Sequence, residues 1–454
     1  MDLYVGLDLG TTGMKAVLAD ENMHIAAFAK ADAPMTEDGL FRTFDADDFC
    51  DRVFDLIKNV TAGADPEDIK ALCAASASGN TLFLDEEDRP MGTAISWTDR
   101  RILGREDEYL PGFDFGGVHE MTGWPYIGMF PLTHIAWMKK ERPDVFAKCK
   151  RICMSTEYLL FRLCGKWGID PSTATPSYLL DQKKGAYCPE YLEYFGLGEE
   201  MLPPLYPSET VLGALAEEAS GLTGLRPGTK IVLGSFDHPA CARGMGAARA
   251  GDLLISCGTS WVGLFVCEGR ESAIRAGLLI DPYLIEKGRW AGMFAMTRYG
   301  EKIDAAVREL IDRSDERFDI LCALAQKKKD VKKNLSLNEF DINTWTGMSR
   351  EETARAIMKA ACSDLKSGLD ELGRQGFVPG RVFMAGGPAS CGVWPKIMAD
   401  TLNKEVACLH GRFGGAAGAA LTAAAGDGKF RNEADFFEGQ RDKYSVYFPE
   451  DEND

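Results

Sequence analysis

The stretch Val232–Gly263, VLGSFDHPACARGMGAARAGDLLISCGTSWVG, decides how this chain is read. An apolar run ends on one acidic residue, Asp237. A second run, Leu253–Ser256, then empties into the small-residue turn Gly258-Thr259-Ser260. The chain opens the same way, with Leu3–Leu7 leading into Asp8-Leu9-Gly10-Thr11-Thr12-Gly13. Glycine lets backbone N–H groups come close to an anion, and Thr and Ser hydroxyls add donors. Two such strand-to-turn units, one per half, predict two halves facing each other across a cleft. An acid placed between two phosphate-binding turns meets the needs of phosphoryl transfer.

The 454 residues exceed what one core usually supports, so two domains are expected. The net charge of −18 argues against nucleic acid or an anionic membrane as partner, because both need clustered Lys and Arg. The one basic cluster, Lys327–Lys333, reads as a solvated helix face. The thirteen cysteines are scattered, mostly inside apolar runs, with no CxxC pair. That pattern predicts buried, reduced thiols and a cytoplasmic enzyme. The chain starts directly on a strand, with no basic-then-apolar leader, and no apolar run approaches the ~18 residues needed to span a bilayer.

Around the opening turn, Leu3–Leu7, Met14–Ala19 and Ile25–Ala29 read as strands. The helical period of Asp45–Val60 follows, with Asp at its start. Ala71–Ser76 and Thr81–Leu84 read as short strands around Ala77-Ser78-Gly79. Leu132–Lys140, Glu157–Gly165 and Glu190–Phe195 read as helices, and Lys230–Gly234 returns to strand. Pro239 in a first helical turn marks a helix start just after Asp237. The second half repeats the logic: a hairpin of Leu253–Ser256 and Trp261–Cys267, a long helix Glu351–Gly373, a strand Arg381–Ala385 entering Gly386-Gly387, a helix Val393–Leu402, and a small-residue helix over Gly411–Ala425. The fold class is therefore mixed α/β. No GxxxxGK[ST] loop and no GxGxxG opening a βαβ unit is present, so P-loop and dinucleotide readings fail.

Several motifs stand in a shared order: Gly6-Leu7-Asp8-Leu9-Gly10-Thr11-Thr12, Ala94–Arg100, Glu157-Tyr158-Leu159-Leu160, Asp170-Pro171-Ser172-Thr173-Ala174, Gly234-Ser235-Phe236-Asp237, Ser256–Ser260 and Gly386-Gly387. In that order the chain resembles the FGGY carbohydrate kinases of the actin and heat-shock ATPase superfamily, from Leu3 to about Gly426. The resemblance implies two actin-like, ribonuclease-H-like domains, here 1–246 for sugar and catalytic base and 247–454 for nucleotide, with a cleft between them. It implies ATP and Mg²⁺ as cofactors and a small sugar or polyol as substrate; a homodimer is common among similar proteins. Asp237 would be the general base. Asp8 and Asp237 would serve Mg²⁺, which prefers carboxylate, water and phosphate oxygens. Thr11, Thr12, Gly258, Thr259 and Ser260 would hold phosphates, and Gly386-Gly387 would lie against adenosine. Ser78, Gly79, Trp97, Asp99, Arg100 and His238 would line the sugar site with Asp237.

Each assignment has a plainer reading. Asp8 also fits a turn, Asp237 a helix N-cap, and Asp99-Arg100 a helix start with a surface ion pair. Trp261 fits a core as well as a sugar pocket. Xylulokinases carry Gln-Met-His, and glycerol kinases Arg-Glu, where this chain has Ala77-Ser78-Gly79, which leaves the substrate open. Glu157 stands where relatives usually carry Asp. A kinase for a non-sugar polyhydroxy compound, a catalytically silent sugar-responsive binding protein and an actin-like filament former are the alternatives. The intact Asp8, Asp237 and both Gly-Thr turns disfavour the silent protein, and the Trp97–Arg100 segment disfavours the filament former.

Overall fold

The computed structural model describes residues 1–284, 288–331, 333–409, 413–430 and 444–450. Two compact units emerge. The first comprises Met1–Gly244, Leu279–Gly288 and Phe413–Glu433; the second comprises Met245–Leu278, Arg289–Arg412 and Ala434–Asp454. A single cut at 246/247 therefore leaves two later segments of the first unit on the wrong side. Among the described residues, no helix is long and apolar enough to cross a membrane.

The first unit is built on β1 (Leu3–Leu9), β2 (Gly13–Asp20), β3 (Ile25–Asp32), β4 (Ile69–Ser76), β5 (Val211–Ala214) and β6 (Lys230–Val232). They lie in the order β5-β6-β4-β1-β2-β3. β1, β2 and β3 form an antiparallel meander, while β4 runs parallel to both β1 and β6. β1 and β4 are buried on both faces, so they read as nearly unbroken apolar runs. One face packs on helices Ala46–Thr61 and Ser155–Cys164 through Leu7, Phe54, Ile57 and Leu159. The Ala46–Thr61 helix starts where its period begins: the Asp45 carboxylate accepts from the N–H groups of Asp47 and Asp48.

The other face is covered by the helix Gly414–Gly426, whose alanines pack on Tyr4, Ala71, Cys73 and Val232. A Cβ on Gly6 would overlap the backbone of Ala416 and Ala420, and one on Gly418 would overlap the Ala240 carbonyl. The small residues on both partners are what let this helix lie against the sheet. Gly411 and Arg412, included in the expected helix, lie outside the described residues.

The second unit repeats this plan with β7 (Asp252–Cys257), β8 (Trp261–Cys267), β9 (Arg289–Met296), β10 (Arg381–Gly386), β11 (Val406–Leu409) and β12 (Tyr444–Tyr447). They belong to a seven-stranded sheet in which the strand Leu279–Leu284 lies on the edge beside β9, followed by β8, β7, β10, β11 and β12 in that order. β7, β8 and β9 are an antiparallel meander, and β10 is parallel to β7 and β11. The two halves thus share a strand topology that their sequences only hint at.

Two expectations change. Residues 327–331 of the basic run follow the helix Arg317–Ala325 instead of belonging to it, and Lys328 pairs with Glu352 at 2.9 Å; Lys332 lies outside the described residues. Eleven cysteines are free, most of them buried as expected, but Cys322 and Cys391 are joined by a disulfide. Scattered spacing gave no sign of that pair, because its members are 69 residues apart.

Candidate active site

In the first unit, the turn after β1 sets the geometry. The antiparallel register puts Asp8 opposite Lys15, and the Lys15 ammonium lies 3.2 Å from the Asp8 carboxylate. Lys15 is a residue the motif reading passed over, although a tight hairpin makes positions seven apart cross-strand neighbours. Asp237 opens the helix Asp237–Gly244 and accepts a 2.7 Å bond from the His238 N–H. The helix begins at Asp237 itself, two residues before Pro239.

Burial raises the Asp237 carboxyl above its ordinary range; His238 opposes the rise, the Asp8 charge adds to it, and Lys15 opposes it. The charges of Asp8, Asp237 and Lys15 also act on Cys241, one turn further along the same helix, whose thiol burial pushes up to about 12. These side chains are therefore near enough for their charges to act on one another. Gly415, in the first turn of the helix Gly414–Gly426, abuts the Asp8 carboxylate, and a Cβ there would crowd it. Among the described residues no group of three or more His, Cys, Asp or Glu forms a metal cage. Two carboxylates still suit Mg²⁺, which takes one or two from protein and fills its shell with water and phosphate oxygens.

The expected sugar-side residues divide. Trp97 is part-buried, donates its indole N–H to the Thr11 hydroxyl at 2.7 Å and stacks on Phe130 with centroids 6.2 Å apart. Thr12 is exposed in the same turn. His238 is part-buried, edge-on to Phe236 at 5.5 Å. Arg100 is exposed.

Asp99 is a correction. It is 1% exposed, and Arg101 grips both of its oxygens at 2.8 Å, with the Arg42 N–H on Oδ2. Its carboxylate builds the loop and is not free to fork a sugar diol. The ion pair that the plainer reading allowed at this position is formed by Asp99 with Arg101, and it is buried.

Ser78 is buried, and its hydroxyl donates to the Ser76 carbonyl at 3.4 Å. Gly79 has φ +93 and donates its N–H to Met154 Sδ. The space a side chain would take at Gly79 is filled by the Phe130 ring, with the Trp97 Cβ beside it.

In the second unit, Gly258, Thr259 and Gly387 line one cavity of about 720 Å³, together with Trp261, Trp394, Arg317 and the Cys322–Cys391 disulfide. That volume suits a nucleotide-sized ligand. Ser260, half-buried, accepts the Arg298 backbone N–H at 2.9 Å. Gly386 has φ +94, and a Cβ there would overlap the Cys257 carbonyl, so it shapes the turn behind the cavity wall. Trp261 is 2% exposed and packs on Tyr299 and Trp394, which makes it part of this wall and not of the first unit's aromatic group.

Comparison with known proteins places this geometry. A profile described as the FGGY family of carbohydrate kinases, N-terminal domain, matches residues 3–244, and the C-terminal domain profile of that family matches residues 334–426. The chain is 25% identical over 445 residues to a xylulose kinase of Escherichia coli (strain K12), covering 93% of this chain and 89% of that one. It is 27% identical over 286 residues to a gluconokinase of Bacillus subtilis (strain 168), covering 63% and 53%. The solved xylulose kinase from Rhodospirillum rubrum shares the fold with a TM-score of 0.85 at 22% identity, over 99% of this chain and 94% of that one.

Proposed function

From the membership of this chain in the FGGY family of carbohydrate kinases, with their actin-like two-domain fold, we propose that it transfers the γ-phosphoryl group of ATP to a primary or terminal hydroxyl of a small ketose or polyol. The observation that carries the proposal is the Asp8–Lys15–Asp237 cluster at the end of β1.

Asp237 takes the proton of the substrate hydroxyl as its oxygen attacks the γ-phosphorus; the bond to the β–γ bridging oxygen breaks and ADP leaves. A raised carboxyl is a better proton acceptor than an ordinary one, provided it is ionised at the working pH. Lys15, Thr11 and Thr12 offer a cation and donors to the phosphoryl group as its charge spreads. Gly258, Thr259 and Gly387 hold the phosphates and nucleoside of ATP through backbone contacts. Asp8 and Asp237 would hold Mg²⁺, which supplies neutralising charge to the phosphates.

A pentulose such as xylulose is the first substrate to try, given the xylulose kinases among the relatives. A non-sugar polyhydroxy acceptor is the second reading. It stays open because the Ala77-Ser78-Gly79 turn lacks the Gln-Met-His that xylulokinases carry there and Asp99 is committed to Arg101. ADP release with ATP and Mg²⁺ tests both against D-xylulose, L-xylulose, D-ribulose, L-fuculose, L-rhamnulose, D-gluconate, erythritol and glycerol. A strong response to one compound, lost in Asp237→Asn, is the expected result. Slow background hydrolysis with every compound would favour a binding protein instead.

A further inference from the structure

Asp281 is a buried acid on the strand Leu279–Leu284, 1% exposed. Its Oδ2 accepts a 2.6 Å bond from the Ser172 hydroxyl, and its Oδ1 has no partner among the described residues. Burial pushes this carboxyl up to about 7. The Ser172 oxygen accepts in turn from the Phe236 N–H at 3.1 Å. Phe236 makes a parallel bridge with Ser76 at the end of β4 and directly precedes Asp237. A chain of two hydrogen bonds therefore runs from Asp281 to the peptide that delivers Asp237.

The backbone that carries Asp281 is itself pinned. The Ile280 N–H donates to the Gly123 carbonyl at 2.7 Å. The Ile280 carbonyl accepts from the Trp124 indole at 3.2 Å and from the Gln182 amide at 2.8 Å. Trp124 also meets the Phe236 ring edge-on, with centroids 5.6 Å apart. Burying a carboxyl with one oxygen unsatisfied is costly, and the Ser172 fold position alone does not require it, since an apolar side chain of the same volume would fill the space. The group retained here reaches the loop of Asp237 through a single hydroxyl.

We propose that Asp281 is a positioning residue for phosphoryl transfer: through Ser172 it fixes the Phe236 peptide and so the aim of the Asp237 carboxylate. The inference rests on Asp237 being the general base. Misplacing a reacting group by about 1 Å costs up to about 100-fold in rate, so loss of the relay should appear in kcat and leave the binding constants alone.

The test uses Ser172→Ala, Asp281→Leu and Asp281→Asn in the full chain, assayed with ATP and the compound that the panel above selects, with active protein counted by ATP binding. Ser172→Ala and Asp281→Leu should each lower kcat by about 10–100-fold, with KM for the acceptor and Kd for ATP within about twofold. Their double variant should be no slower than the worse single one. Asp281→Asn keeps an acceptor for Ser172 and should recover most of the turnover lost in Asp281→Leu. In an Asp237→Asn background, Ser172→Ala should cost nothing more, because the group being aimed is gone; a loss through folding would multiply instead. A normal kcat in Ser172→Ala, or a full multiplicative loss in the Asp237→Asn background, overturns the proposal. Near-normal turnover in Asp237→Asn alone overturns the base assignment, a result readable separately. Where Asp281→Leu fails to fold, Ser172→Ala, which removes one hydroxyl, decides the matter.

Discussion

The Trp97 indole donates to the Thr11 hydroxyl across 2.7 Å, joining two motifs that lie 86 residues apart in the chain. The bond occupies a lone pair of Thr11 and leaves its proton to point elsewhere, toward a phosphoryl oxygen in the proposed reaction. Trp97→Phe keeps a ring to stack on Phe130 and deletes only the donor. A neutral hydrogen bond contributes about 0.5–1.5 kcal/mol, so kcat/KM should fall by about 2–10-fold with the fold intact. Steady-state kinetics beside a thermal melt checks this; unchanged kcat/KM would show that the bond does not orient Thr11.

Asp237→Asn keeps the size of the side chain and an acceptor for the His238 N–H. Turnover should fall by about 10²–10⁴-fold, the range for removing a general base, with ATP affinity retained. Single-turnover measurement with calorimetric ATP titration separates the two effects.

The strand-turn-strand opening, the Ala46–Thr61 helix and the β7–β8 hairpin were legible because short-range pattern and turn chemistry agree there. Asp99 was read as a sugar contact because the motif alone does not say whether its carboxylate is open or already paired. Its pairing with Arg101, whose guanidinium also lies over Trp137 at 4.2 Å, and its bond from the Arg42 N–H depend on contacts far apart in sequence. Lys15 was missed because its role comes from hairpin register and not from a motif. The grouping of Leu279–Leu284 with the first unit, although the strand pairs beside β9, has no local signal, since a strand's own sequence does not say what its side chains will pack on.

Glu157 is buried, and its Oε2 accepts the Met154 N–H at 2.7 Å. Burial pushes its carboxyl up to about 8 from an ordinary 4.5; the Met154 bond opposes this and the Asp170 charge adds to it. The folded state therefore holds a proton that the unfolded chain releases. The stability tied to this group is full below about pH 4.5 and is lost as pH rises toward 8. Glu157→Gln keeps an acceptor for Met154 and cannot ionise, so its melting temperature should decline less than that of the parent between those limits. Melting curves across pH 4.5–8 test this; parallel declines in the two proteins would show that Glu157 does not titrate on unfolding.

Gly418 lies where a Cβ would overlap the Ala240 carbonyl. Gly418→Ala must push the Gly414–Gly426 helix off its neighbour, and overpacking of this kind costs about 1–3 kcal/mol. A denaturant midpoint lowered without a change in slope is the expected result.

With Cys322 and Cys391 joined, unfolding without reductant should expose eleven titratable thiols. Prior reduction should raise the count to all thirteen. Thiol titration in denaturant decides, and thirteen thiols without reductant would show that the pair is open in solution.

The helix that seals one face of the first sheet is encoded near the far end of the chain. A ribosome that has released β1, β4 and β6 has not yet made the alanines that cover Tyr4, Ala71, Cys73 and Val232. The first unit therefore cannot mature while the chain is being translated in the usual N-to-C order. It must hold an unpaired apolar face through the synthesis of nearly all of the second unit. A truncated messenger ending near codon 246 should accordingly yield an aggregation-prone fragment instead of a working half-enzyme.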